Sequence, residues 1–198
     1  MQNPERGLFR LFIALPLPET IKDEIAKAQM ELRSALPENS VRWTKREQFH
    51  LTLKFLGDVE AQRIEPLTHA LRCVCEKVSA LKLRGEGIAF FPGPRRPRVV
   101  WAALHDPQEQ LPLLQRAIEI AVQDFTGEKP EEKFSGHVTL GRIKQIQRHE
   151  TEILAGLAAG MVERTFGEWT ADTVELVRSE LASSGASYTV LGAIPLQK

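Results

Sequence analysis

The chain contains no apolar run long enough to span a bilayer, which takes about 18 residues, and Met1 to Arg6 lack the apolar core of a secretory signal. A cytoplasmic location without a membrane partner is therefore expected. Cysteine is scarce. Cys73 and Cys75 are the only two, and they stand two apart in a helical pattern, where side chains diverge and cannot bridge each other. Reduced thiols are expected, not a disulfide framework or a metal knuckle. Neither sign of charge is in surplus, since Lys plus Arg and Asp plus Glu number 26 each. No global field draws the chain onto duplex DNA or an anionic membrane, so any polyanion site has to be local. Two basic clusters are candidates, Arg95, Arg96 and Arg98, and the run Arg42, Lys45, Arg46 and Lys54, although a charge cluster is more ordinarily a solvated face.

What is present is enough apolar content, 42% of 198 residues, to build a proper core. Arg10 to Leu15, closed by Pro16 and Pro18, reads as a buried strand. Ile21, Ile25, Ala28 and Leu32 then fall at helical spacing up to Pro37. Val41 to Thr44 and Phe49 to Leu56 read as strands. A second helix follows from Ile64, and strand signals return at Leu81 to Phe90 and Val99 to Leu104. Asp106 and Glu109, with Pro107 between them, suggest a capping box opening a third helix that ends at Gly127. A short helix around Ile153 to Met161 and two closing strands, Thr173 to Leu181 and Ser187 to Leu196, joined across Ser183-Ser184-Gly185, complete the pattern.

One tetrapeptide occurs twice, as His50-Leu51-Thr52-Leu53 and His137-Val138-Thr139-Leu140. Chance supplies about 0.3 copies of His-x-Thr at this composition, so the pair is informative where one copy would not be. In an extended strand alternate side chains share a face. His50 and Thr52 should point one way and Leu51, Leu53 and Phe55 the other; His137 and Thr139 should likewise oppose Val138 and Leu140. The surroundings repeat too: Ala14-Leu15-x-x-Pro18 matches Ala103-Leu104-x-x-Pro107. This spacing suggests one bilobal domain over residues 1–198, built by internal duplication, with a first motif lobe at roughly 10–60, a second at roughly 98–145, and strands exchanged between them. About a pseudo-twofold axis, both His-Thr faces would line one cleft.

Two imidazoles across a cleft suit in-line displacement at phosphorus, one taking a proton from the attacking oxygen and the other protonating the leaving oxygen. The hydroxyls of Thr52 and Thr139 would donate to non-bridging oxygens as charge builds. Metal ligation is the rival, but neither motif contains Asp or Glu and Thr is a poor ligand, so neither metal nor cofactor is expected. The bland alternative, buried strand histidines bonded to neighbouring threonines, accounts for one motif better than for a matched pair. His69, His105 and His149 fall near helix ends and polar segments and read as surface residues. Trp43, Phe49, Phe91 and Tyr188 are available for base stacking or, more ordinarily, for core packing.

With Arg10 to Ala14, Arg42-Trp43, His50 to Gly57, Phe91-Pro92, Arg95 to Val99, Trp101-Ala102, Ser179-x-Leu181 and Gly185-Ala186-x-Tyr188 around both motifs, the sequence resembles the two-histidine phosphoesterase superfamily. Within it, the resemblance is to the bacterial RNA 2′,3′-cyclic phosphodiesterase family, also called 2′-5′ RNA ligase. Gly136 departs from the pattern, which usually has Pro before the second His. The resemblance implies an α+β fold of two pseudo-symmetric lobes of antiparallel sheet with outer helices around a central cleft. It also implies hydrolysis of RNA 2′,3′-cyclic phosphate ends to 2′-phosphates, with His50 as proton donor, His137 as proton acceptor and Arg142 binding the substrate phosphate. The expected partners are RNA ends or nucleotide 2′,3′-cyclic phosphates, acted on by a monomer, with reverse 2′-5′ ligation open to the same groups. A non-catalytic module binding nucleotides or RNA ends in the same cleft is the alternative. Strand parity objects to Arg142: five residues past His137, it should face the core unless a bulge at Gly141 intervenes.

Overall fold

The computed structural model describes residues 7–130, 133–182 and 185–197. The expected turn at Ser183-Ser184 lies outside the described residues, as do Met1 to Arg6. Two antiparallel sheets and four α-helices make up the framework of the described residues, as the α+β expectation requires. The first sheet runs in the order β3 (His50–Glu60), β1 (Leu8–Pro16), β8 (Thr173–Ala182), β9 (Gly185–Pro195). The second runs β2 (Val41–Trp43), β6 (His137–Ile143), β5 (Val99–His105), β4 (Leu81–Phe91), β7 (Thr165–Ala171). One motif strand lies in each sheet, and β3 and β6 come together where the sheets meet.

The helices cover the sheets crosswise. Helix α1 (Glu19–Ser34) follows β1 of the first sheet yet packs on β7 of the second, beside α4 (Arg148–Ala159), which lies on β4. Helix α3 (Gln110–Val122) follows β5 of the second sheet yet packs on β3 of the first, beside α2 (Ile64–Cys75), which lies on β9. In α1 the apolar stripe Ile21, Ile25, Ala28 and Leu32 is buried as its spacing predicts. Helix α3 opens later than the capping-box pattern suggests. Pro112 has no N–H and is tolerated only in a first turn, so the helix starts at Gln110. Glu109 turns at φ 56°, and the Asp106 carboxylate accepts from the N–H of Gln108 (2.9 Å) and of Leu111 (2.5 Å). No helix among the described residues is long and apolar enough to cross a membrane.

Two bulges decide which motif-strand side chains reach the cleft. Between β1 and β3, Ile13 faces Lys54 but Ala14 faces Thr52, leaving Leu53 as an extra residue. Between β5 and β6, Val100 faces Gly141 but Trp101 faces Thr139, leaving Leu140 extra. An inserted residue reverses side-chain parity beyond it. Past the first bulge, Phe55 therefore turns out to 56% exposure and Lys54 turns in, the reverse of the alternation the sequence suggests. Each bulged carbonyl is held by a buried glutamine from the crossing helix: Gln29 Nε2 donates to Leu140 O (2.8 Å) and Thr44 O (2.8 Å), and Gln115 Nε2 donates to Leu53 O (3.4 Å).

Lys54 consequently is not a surface cation. Its ammonium pairs with Glu119 of α3 at 2.7 Å, both side chains being 6% exposed, and donates to Lys129 O at 2.8 Å. Arg46 is likewise engaged, with Glu19 (2.6 Å) and Asp23 (2.7 Å) of α1. Breaking a buried pair is costly, whereas replacing both partners with apolar groups often is not. Lys54→Met should lose about 3 kcal/mol of unfolding free energy in urea, and Lys54→Met combined with Glu119→Leu should recover most of it. Equal losses in the single and double variants would show that the pair is not what stabilises this contact.

Candidate active site

Both motif histidines are held the same way. His50 Nδ1 lies 2.7 Å from Gln48 O, and His137 Nδ1 lies 2.7 Å from Ser135 O, in each case a carbonyl two residues upstream. A carbonyl can only accept, so Nδ1 carries the proton in both rings and Nε2 is left as the reactive nitrogen. His50 Nε2 is 3.0 Å from Thr52 Oγ1. The rings are also packed laterally: Phe12 of β1 stacks on His50 (4.7 Å between centroids) with Tyr188 of β9 edge-on to it (5.4 Å). Phe91 of β4 and Trp101 of β5 meet His137 edge-on at 5.1 and 5.7 Å.

Thr52, Phe55, His137, Thr139 and Arg142 all line one cavity of ≈ 230 Å³ between the sheets. His50 is not itself a lining residue, but its Nε2 reaches the cavity wall at Thr52 Oγ1, 3.0 Å away. Arg142 reaches this cavity because the Leu140 bulge intervenes one residue before the position the parity argument singled out. Gly141 is required just there. A Cβ on it would come 2.6 Å from Val41 Cγ1 and 2.9 Å from Trp43 Cε3, so β2 can lie against β6 only over a glycine. Arg42 of β2 sits directly opposite Arg142 across that ladder, and cross-strand partners project to one face. Among the described residues neither arginine has an ion-pair partner, although like charges facing each other are unfavourable in the absence of an anion.

Burial sets the protonation of both rings. His50 is pushed down to about 4, mainly by desolvation, with His137 and Lys22 adding to the fall and the Gln48 carbonyl opposing it. His137 is lowered for the same first reason, with Arg142 adding to it and the Ser135 carbonyl opposing. Tyr188 is raised by burial, and the positive charges of Arg142 and Arg42 work against that rise, so both guanidiniums act across the cleft on the aromatic wall beside His50. Near neutral pH both imidazoles of the free protein are therefore uncharged.

Known proteins share this sequence pattern and fold. The chain matches the family described as LigT like Phosphoesterase over residues 15–101 and 104–188. It belongs to the LigT-like phosphoesterase family. The RNA 2′,3′-cyclic phosphodiesterase of Methanothermobacter thermautotrophicus is 31% identical over 180 residues, which cover 91% of this chain and 95% of that protein. The one from Methanocaldococcus jannaschii is 28% identical, covering 92% and 98%. A crystal structure of a Thermus thermophilus protein superposes with a TM-score of 0.77 at 28% identity, covering 95% of this chain and 98% of that one. E. coli LigT complexed with 3′-AMP shares the fold at a TM-score of 0.75 and 22% identity, covering 97% and 100%.

Within this LigT-like phosphoesterase, sequence reasoning missed Phe55 as a cleft residue, since only the Leu53 bulge brings it there. Of the aromatic candidates, Phe49 is core, at 2% exposure, and Trp43 packs against the core, while Phe91 and Tyr188 flank the two histidines. His69, His105 and His149 are exposed, as expected. The depressed histidines also predict how stability varies with pH. Below an unfolded value of about 6.5 the unfolded chain binds protons that native His50 refuses down to about 4. Stability is thus complete above about pH 6.5 and falls on acidification toward pH 4, with His50 accounting for on the order of 3 kcal/mol. Urea unfolding from pH 4 to 7 should show a shallower fall for His50→Gln than for the unmutated chain; identical slopes would contradict the burial argument.

Proposed function

We propose that the chain hydrolyses RNA 2′,3′-cyclic phosphate ends to 2′-phosphomonoesters without a metal, with His50 as proton donor and His137 as proton acceptor. The observation that carries this is the matched orientation of the two rings, each Nδ1 tied to a backbone carbonyl so that each Nε2 is left for proton transfer. Water attacks phosphorus and its proton passes to His137 Nε2 while the bond from phosphorus to the 3′ oxygen breaks. That oxygen takes a proton from His50 Nε2, leaving the phosphate on the 2′ oxygen. Arg142 beside His137 disfavours the imidazolium there, which suits a base. His50 gives up a proton readily because burial makes its cation acidic, and the negative charge of the bound phosphate supplies the attraction that loads it. Thr52 and Thr139 would donate to the non-bridging oxygens, Arg142 would bind them, and the exposed ring of Phe55 would stack on the base. Reverse 2′-5′ ligation would use the same groups with roles exchanged.

Relatives that align along nearly the whole chain are phosphodiesterases, which favours catalysis over a binding module in the same cleft. The donor chemistry favours proton transfer, because among the described residues no three His, Cys, Asp or Glu cluster in a way that could hold a metal ion. One chain supplies both halves of the site, in keeping with a monomer, and its free thiols, Cys73 and Cys75, suit the cytoplasm. The single-domain, duplicated organisation with lobes near 10–60 and 98–145 is supported by bulges at the same step of both motifs and by the crossed helices. The test is turnover of a 2′,3′-cyclic nucleotide in EDTA. His50→Ala and His137→Ala should each lose at least about a hundredfold in kcat, and the double variant should lose far less than the product of the two. The kcat/KM profile should be a bell lying acid of pH 6.5, following the lowered free-protein values. Collapse in EDTA with rescue by a divalent ion, or full activity in either single variant, would overturn the assignment.

A further inference from the structure

The β4–β5 connection is anchored at both ends in the active site. It leaves at Phe91, whose ring meets His137 edge-on at 5.1 Å, and returns at Val99, which pairs with Arg142. Between them it is closed by Arg98 N–H donating to Phe91 O (2.7 Å), pinned by the buried Pro97, and joined to the end of β6 by Ile143 N–H donating to Arg98 O (2.9 Å). It is therefore a held loop with defined contents. Those contents are Arg95, Arg96 and Arg98, all exposed and, among the described residues, without an ion-pair partner. They line a groove of ≈ 840 Å³ that continues to α4, where the one carboxylate present, Glu152, is already tied to Arg148 at 3.0 Å. A chain with equal numbers of both charges has thus gathered three unneutralised guanidiniums on a short loop whose returning strand pairs with Arg142 at Val99.

We propose that Arg95, Arg96 and Arg98 bind the backbone phosphates of the RNA strand leading up to the cyclic end, so that the protein prefers oligoribonucleotide ends to cyclic mononucleotides. This rests on the phosphodiesterase reading above and names the part of the substrate that the catalytic cleft is too small to hold. Guanidinium groups suit phosphate oxygens in bidentate geometry, and contacts to the backbone contribute affinity without reading sequence. An acidic protein segment would see the same charges but has no reason to end in the cleft.

The test compares the unmutated protein with Arg95→Gln/Arg96→Gln/Arg98→Gln on two substrates, a cyclic mononucleotide and a ten-residue RNA ending in a 2′,3′-cyclic phosphate. The variant should raise KM for the oligomer on the order of tenfold or more, leave kcat alone, and leave the mononucleotide unchanged. Binding of a 3′-hydroxyl RNA of the same length, followed by fluorescence anisotropy, should lose about 2 from the slope of log Kd against log salt, at about 0.7 for each phosphate no longer neutralised. If the unmutated protein turned over neither substrate, the activity reading would fail while the anisotropy slopes still decided the binding site. Equal KM changes for both substrates, an unchanged salt slope, or a polyglutamate peptide competing as well as RNA would each overturn the proposal.

Discussion

The site depends on one short hydrogen bond made twice, from the Nδ1 of a motif histidine to the carbonyl two residues before it. It fixes the tautomer, orients the ring, and leaves Nε2 as the nitrogen that can exchange a proton. Everything around it keeps that bond in a dry setting. Phe12 and Tyr188 enclose one ring and Phe91 and Trp101 the other, and the same enclosure makes the charged form of each ring unfavourable until an anion arrives.

The second constraint is the bulge after each threonine. In an unbroken strand the side chain five residues past each histidine would face the core; the inserted leucine sends Arg142 to the cleft from one sheet and Phe55 from the other. Two lobes with the same backbone device thus contribute different chemistry, a cation and an aromatic face. The glutamines that satisfy the bulged carbonyls come from helices belonging, by chain order, to the opposite lobe. That ties the geometry of each motif strand to the crossed packing of the molecule.

Much of this is legible in the residues. Paired His-Thr faces, the apolar stripes of the helices and most strands follow from periodicities of 2.0 and 3.6, which are local properties. The bulges are not local: Leu53 and Leu140 look like ordinary core positions, and only cross-strand register exposes them as insertions. Lys54 was misleading for that reason, since its burial against Glu119 follows from the bulge before it. The start of α3 was misplaced because a good capping pattern at Asp106 competes with Pro112, and the proline wins. Strand β7 escaped notice because Gly167 (φ +110°) and Glu168 break the alternation of a seven-residue edge segment. Which sheet a helix covers has no signature in its own sequence.

The imidazole tautomers test the account most directly. Nitrogen-15 NMR of the free protein at pH 7, with His50 and His137 assigned by single replacements, distinguishes a protonated from a bare ring nitrogen. The account predicts that both rings are neutral, with Nδ1 protonated and Nε2 bare. A neutral ring carrying its proton on Nε2 at either position would contradict it, because that nitrogen could not then accept a proton and the backbone carbonyl would no longer be holding the ring.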